Sequence, residues 1–177
     1  MQNAAMRSPA PPAFTLVPLA VRHAPAMAAV LADPALYRFT GGEPPGAAEL
    51  ERRYARQLAG PGEAGVAWVN FLVRVEESGA FAGYVQATVT RGEEAEVAWV
   101  VGTAWQGRGL AKAAARALAA RLADEGVRGL TAYIHPEHTA SESVARALGL
   151  RPDGSRRDGE RRWAGPAPLS PARTAAR

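Results

Sequence analysis

The chain of 177 residues contains no cysteine. Disulfides, thiolate metal sites and any route through an acyl-cysteine are therefore excluded. Histidine is nearly as scarce, with His23, His135 and His138 the three present. No H-E-x-x-H or comparable spacing links them to carboxylates, so no metal is expected. Lysine is reduced to Lys112, every other basic side chain being arginine. Long apolar runs are missing as well, and nothing approaches the roughly 20 unbroken residues of a membrane span. The segment Met1 to Phe14 carries an arginine and three prolines in place of an apolar stretch. No secretory signal is read there, and a cytoplasmic location without membrane contact is expected.

What is present is the balance of one globular domain: 47% hydrophobic and 21% charged residues. The net charge of +4 invites a nucleic-acid partner. The arginines are dispersed, however, and the one local run, Arg156 to Arg162, is broken by Asp158 and Glu160. A solvated hairpin explains that run at least as well, and abundant alanine beside arginine points to coding composition rather than function. Nucleic acid is not the expected partner.

Proline-rich stretches suggest flexible tails at 1–13 and 165–177, flanking a single domain over 14–164. Phe14 to Arg22 reads as a strand, and Ala24 to Ala32 as a helix stopped by Asp33-Pro34. A turn-rich loop from Gly41 to Gly46 precedes a helix from Ala47 to Leu58, with Leu50, Tyr54 and Leu58 on one face. Val66 to Val75 alternates, placing Val69, Phe71, Val73 and Val75 opposite Trp68, Asn70 and Leu72. Phe81 to Thr90 is its hairpin partner, and Ala95 to Val101 a third antiparallel strand. A helix then runs to Asp124 with Leu110, Ala114, Leu118 and Leu122 on one stripe, ended by Gly126. The short strand Leu130 to Ile134 follows, and a strand–helix–strand crossover of this size implies a parallel pair. A helix from Ser141 to Leu148 and a hairpin around Asp158-Gly159 close a mixed α/β fold.

Between the third strand and the long helix lies Gln106-Gly107-Arg108-Gly109-Leu110-Ala111. A strand, a tight glycine turn and a helix N-terminus gather free N–H groups where the helix dipole favours an anion. Gly107 and Gly109 let the main chain approach a phosphate, and Arg108 and Lys112 add charge. The loop lacks the G-K-[ST] ending of a Walker motif and the third glycine of a dinucleotide fingerprint, so ATP and NAD fit poorly. Taken alone, Gly-x-Gly before a helix is as readily a structural turn.

The hexapeptide resembles the [RQ]-x-x-G-x-[GA] acyl-CoA loop of the GNAT N-acetyltransferase superfamily. The context agrees, with Glu96-Val97-Ala98-Trp99-Val100-Val101 before it and a long helix after it. Downstream, 134–141 and 144–150 resemble the second cofactor-side strand and helix of that family. Upstream, 16–22, 33–39 and Gly83-Tyr84-Val85 resemble its RimJ/RimL-type branch. The resemblance implies acetyl-CoA as co-substrate and a twisted, mostly antiparallel sheet with a splayed parallel pair. Backbone groups of Trp99, Val100 and Val101 would pair with pantetheine, the N–H groups of Gly107 to Ala111 would hold the pyrophosphate, and an N–H near Val100 would polarise the thioester carbonyl. His138 stands where relatives carry an asparagine toward pantetheine. Ala145 stands where many carry a tyrosine that protonates the leaving thiolate.

An amine nucleophile needs a base. Glu96 is the candidate, directly or through a water; the alternative is an exposed strand glutamate. Ser141 is a candidate hydrogen-bond donor to the cofactor or thiolate, with a helix N-cap as its other reading. For the acceptor, Tyr37, Phe39, Trp68, Asn70, Tyr84, Gln86 and Trp163 are candidates, all of which are also ordinary core or interface types. The expectation is an acetyl-CoA-dependent N-acetyltransferase acting on a protein or peptide N-terminus, an amino acid or a small amine. The rival is an acyl-CoA-binding sensor without catalysis. Edge strands in the closing hairpin are compatible with a homodimer.

Overall fold

Period-two alternation over 66–101 becomes an antiparallel meander in the computed structural model, which describes residues 10–169. The strands are β1 (Phe14–Pro18), β2 (Val66–Val75), β3 (Phe81–Thr90), β4 (Glu94–Val101), β5 (Gly129–Ile134), β6 (Arg151–Arg157) and β7 (Glu160–Pro166). The helices are α1 (Ala24–Val30), α2 (Ala47–Ala59), α3 (Leu110–Asp124) and α4 (Thr139–Ala147). One mixed sheet runs β1-β2-β3-β4-β5-β7-β6, with β4–β5 its parallel pair.

Because successive strand side chains point to opposite faces, β2 serves two cores at once. Phe71, Val73 and Val75 join Val85, Val97, Leu130 and Trp163 beneath α3. Leu72 joins Met27, Leu31, Leu50 and Tyr54 beneath α1 and α2. The α3 stripe of Leu110, Ala114, Leu118 and Leu122 is fully buried, and each such leucine contributes about 1.5–3 kcal/mol relative to exposure.

Three departures from the sequence expectation have local causes. The first strand ends at Pro18 rather than Arg22, because the Ala20 N–H is taken by His23 Nδ1 at 3.1 Å and the chain tightens into a 3₁₀ turn at Val21–His23. Helix α1 stops at Val30, and Asp33 instead caps a second 3₁₀ turn, Pro34–Tyr37, by accepting from Ala35 N at 2.8 Å. Strand β7 continues past Ala164, with Gly165 opposite Leu130 and Pro166 opposite Gly129. Most of the expected tails lies at 1–9 and 170–177, outside the described residues. The Asp158-Gly159 turn is as expected, both residues having positive φ (51° and 86°).

Candidate active site

The parallel ladder between β4 and β5 is short: Glu94↔Gly129, Ala95↔Leu130 and Glu96↔Thr131. Beyond it β4 runs on to Val101 paired only with β3, while β5 stays bound to β7 through Ile134↔Arg161. The two strands therefore part above Glu96 and Thr131, leaving a V between them.

Backbone parity decides which groups face that V. The Glu93 carbonyl accepts from Arg128 and Gly129 on the β5 side, and the Gly102 N–H donates to Ala82 on β3. Main-chain direction alternates along a strand, and the β3–β4 register is unbroken. Trp99 and Val101 thus present N–H and C=O to the V, and Val100 presents its own to β3. Of the three residues expected to pair with pantetheine, Val100 therefore turns its main chain away, and the N–H expected near Val100 to polarise a carbonyl falls to Trp99 or Val101. On β3, Gly83 sits opposite Val101, and a Cβ there would overlap the Val100 carbonyl oxygen. Gln106 does not extend toward a ligand, since its Nε2 donates to the Val101 carbonyl at 3.0 Å and ties the loop to the strand.

At the top of the V, Gly107 and Gly109 take the left-handed conformation (φ 75° and 73°), and α3 starts directly after Gly109 without a side-chain cap. The N–H groups of Gly107, Arg108 and Gly109 have no hydrogen-bond partner among the described residues. With the first N–H groups of α3, from Leu110, Ala111 and Lys112, they form a cradle for an anion. Space is left in front of it, as a Cβ on Gly107 would meet nothing within 4 Å. The Arg108 guanidinium lies 5.4 Å over the Trp105 ring, and Lys112 sits in the first helical turn. A pyrophosphate fits these residues.

At the base of the V, Glu96 shares an outward face with Ala98 and Val100. Its carboxylate is not free. Arg157, from the closing hairpin, donates to both oxygens, at 2.9 and 2.6 Å. The same guanidinium lies 3.6 Å over the Tyr133 ring on β5, so Arg157 spans the two parting strands. The hydrogen bond to Glu96 raises the Arg157 pKa further above its ordinary value. The sequence pattern points to neither Arg157 nor Tyr133. The arginine belongs to a run that reads as a solvated turn, and no local pattern links positions 61 residues apart.

His138 belongs to the turn before α4, where its carbonyl accepts from Glu142 N. The N-cap is His138 rather than Ser141, which is the third helical residue and half-buried. The His138 ring stacks on Phe39 at 4.5 Å, and burial, then His135, push its pKa below the usual histidine value. Phe39, expected on the acceptor wall, is thus drawn to the turn before α4. Ala145 is wholly buried in the main core, so no hydroxyl arises from that position.

Of the acceptor candidates, Asn70, Tyr84 and Gln86 come together, lining a cavity under α2 with Tyr54 and Gln57. Burial pushes the Tyr84 phenol up and the Tyr54 phenol up to about 12. Tyr37 lies outside the lining and donates its hydroxyl to the Leu31 carbonyl at 3.0 Å. Trp68 is 41% exposed and apart from the cavity, and Trp163 is core at 2%. The sequence marks Tyr54 only as part of an apolar stripe. In the arginine run, Arg157, Arg161 and Arg162 are paired with Glu96, Glu142 and Asp153, which removes much of the charge a nucleic acid would meet. No helix among the described residues is long and apolar enough to cross a membrane.

The fold recurs in solved structures. A RimJ of Mycobacterium smegmatis in complex with CoA-disulfide superposes with a TM-score of 0.74 at 22% identity, over 92% of this chain and 88% of that one. An acetyltransferase from Thermus thermophilus gives 0.70 at 23%, over 86% and 96%. A RimL, a ribosomal L7/L12 alpha-N-protein acetyltransferase solved with coenzyme A, gives 0.70 at 18%, over 90% and 97%. No curated protein sequence matches the chain at a significant level. The model of the acetyltransferase (GNAT) domain matches residues 14–151, from the first strand through the V, the loop and α4. By that match the chain belongs to the GNAT acetyltransferase family.

Proposed function

We propose that the chain transfers the acetyl group of acetyl-CoA to a primary amine by direct attack within a ternary complex. The observation that carries this is the V: main chain at Trp99 and the Val101 N–H left without a strand partner beyond the β4–β5 ladder, ending in a loop of free N–H groups. Pantetheine laid along it as an added strand runs from the cradle toward Glu96, a span of about 17 Å at ~3.4 Å per residue. The thioester then lies beside the outward face that carries Ala98.

The amine nitrogen forms the new bond to the thioester carbonyl carbon, the C–S bond breaks, and the thiolate leaves with its electron pair. The ammonium proton passes to Glu96 through a water. A carboxylate has about four lone-pair sites and a bidentate guanidinium uses two, so Glu96 retains sites for that water while Arg157 fixes its orientation. The thiolate takes its proton from solvent, because Ala145 offers none. RimJ- and RimL-like neighbours support a protein N-terminus as one acceptor class, beside amino acids and small amines.

The buried Ala145 also favours a second reading, an acyl-CoA-binding domain without turnover. Calorimetric titration with acetyl-CoA, followed by free-thiol release across amines and peptides, separates the two. Binding with release supports the transferase. Binding without release from any amine supports the sensor, and absence of binding overturns both.

A further inference from the structure

One strand away from the V, on the face bearing Ala98 and Val100, the sheet and α2 enclose a cavity of about 190 Å³. Its floor is two cross-strand pairs, Asn70 opposite Gln86 and Leu72 opposite Tyr84. Gln86 and Tyr84 in turn sit opposite Ala98 and Val100 of β4, so the floor lies about 4.8 Å from the acetyl-bearing strand. Ala98, between that floor and the V, is exposed and carries only a methyl group.

Among the described residues the lining contains no Asp or Glu, and its one charge, Arg53, is held by Glu49 at 2.8 Å. An ammonium placed here meets no carboxylate and loses its hydration. A carboxylate meets only a guanidinium that is already engaged. What the cavity offers is uncharged: amide and phenol groups beside leucine side chains. Gln57 Nε2 donates to Asn70 Oδ1 at 3.4 Å, a long bond that leaves the other amide valences of both open. The Tyr54 hydroxyl is buried without a partner among the described residues, an arrangement that costs about 1–3 kcal/mol until something pairs with it. A carboxamide, with two donors on nitrogen and an acceptor oxygen, answers both the amide groups and the phenols. The cavity is also smaller than the ~300 Å³ at which sites for drug-sized ligands begin, so the guest is the size of a side chain.

We propose that this cavity is the specificity pocket of the acceptor, and that the amine acetylated carries an uncharged carboxamide a few bonds from its nitrogen, recognised by Tyr54, Asn70 and Gln86. This rests on the acetyltransferase reading above. A free small amine and the first residue of a peptide are two sources of the same chemistry.

The test compares thiol release from acetyl-CoA with β-alaninamide, β-alanine, trimethylenediamine and butylamine, which have the same length and differ in the distal group. A peptide beginning with asparagine, beside one beginning with aspartate, distinguishes the peptide source from the free amine. The expected result is kcat/KM at least about tenfold higher for the carboxamide in one or both sources. Asn70→Leu and Tyr54→Phe each raise its KM by about tenfold, the loss expected for one hydrogen bond, and reduce its advantage over butylamine, with acetyl-CoA affinity unchanged. Equal kcat/KM for all four amines together with no preference between the two peptides, a preference for a charged end, or variants without effect on KM overturns the pocket. Calorimetry of β-alaninamide and the asparagine peptide with CoA-loaded protein separates this from the parent reading. If no acceptor releases thiol yet binding is seen and is lost in Asn70→Leu, the pocket stands and the transferase fails. If neither is bound nor acetylated, the pocket is overturned.

Discussion

Strand β4 serves two regions that are built differently. At its C-terminal end the groups on offer are main-chain N–H and C=O, exposed because β5 departs and because Gly107 and Gly109 accept positive φ. Along its outward face they are side chains brought from elsewhere: Glu96 held by Arg157 of β6, and Tyr84 and Gln86 of β3 facing Tyr54 of α2. A backbone site needs few particular residues, mostly the glycines that allow its geometry. A side-chain site needs particular residues on several elements at once, so substitution can change what it accepts while the fold and the donor end persist.

The largest effect expected from this contrast is at Gly109. Gly109→Glu places a side chain and a negative charge in the cradle, and acetyl-CoA affinity falls at least about 100-fold, roughly 2.7 kcal/mol. The φ of 73° adds strain of about 1–2 kcal/mol for any other residue. Gly109→Ala controls for this, carrying the strain without the charge, and loses less than about tenfold by calorimetry. Equal losses in the two variants would show that backbone strain, and not the anion, governs binding.

On the outward face the effect falls on turnover instead. Glu96→Gln lowers kcat by roughly 100-fold and leaves acetyl-CoA affinity unchanged. Arg157→Ala lowers kcat several-fold, and Arg157→Lys does not restore it, since an ammonium cannot form the fork. Both partners of this pair are nearly half exposed (49% and 41%), so it contributes no more than about 1 kcal/mol to folding. Melting temperatures therefore stay close to the parent, and a kcat loss at constant stability is functional. Unchanged turnover of Glu96→Gln across pH makes the glutamate a structural partner of Arg157 only.

The same contrast explains what the sequence disclosed. Local periodicity and glycine placement located β2, β3 and α3 almost to the residue and marked the loop, because those signals arise from near neighbours in the chain. The pairing of Glu96 with Arg157 depends on how the β6–β7 hairpin docks beside β5, and the Phe39–His138 stack on where the α1–α2 connection meets the turn before α4. No pattern at either end of such a contact announces the other. Parity of the β4 main chain lay between these cases. It followed from the register, but only once Glu93 and Gly102 had fixed its phase.

Phe39 crosses the boundary between the two regions, reaching from the α1–α2 connection to stack on His138 in the turn before α4. An aromatic stack contributes about 0.5–1.5 kcal/mol, so Phe39→Ala weakens acetyl-CoA binding by roughly two- to tenfold with amine KM unchanged. A change in amine KM with donor affinity intact would move Phe39 back to the acceptor wall, where the sequence reading places it.

The smallest effect is on stability and distinguishes the regions without any ligand. Burial raises the Tyr54 phenol to about 12 from an ordinary value of 10. The folded state therefore favours the protonated phenol, and the unfolded chain releases its proton first as pH rises. Stability from this group is complete below pH 10 and is lost progressively as pH climbs from 10 through about 12, where the folded phenol ionises. Tyr54→Phe has no such proton, so its melting temperature falls less steeply than the parent's over that interval, by a few degrees at most. Tyr37 and Tyr84, whose phenols burial also raises, keep part of the slope in the variant. The cofactor loop from Gln106 to Lys112 contains no phenol, so Gly109→Ala leaves the parent slope unaltered whatever it does to acetyl-CoA. Identical alkaline slopes for Tyr54→Phe and the parent would mean that the Tyr54 phenol ionises as freely as an exposed one, and the cavity would then lose the unpaired hydroxyl on which its preference for an uncharged guest depends.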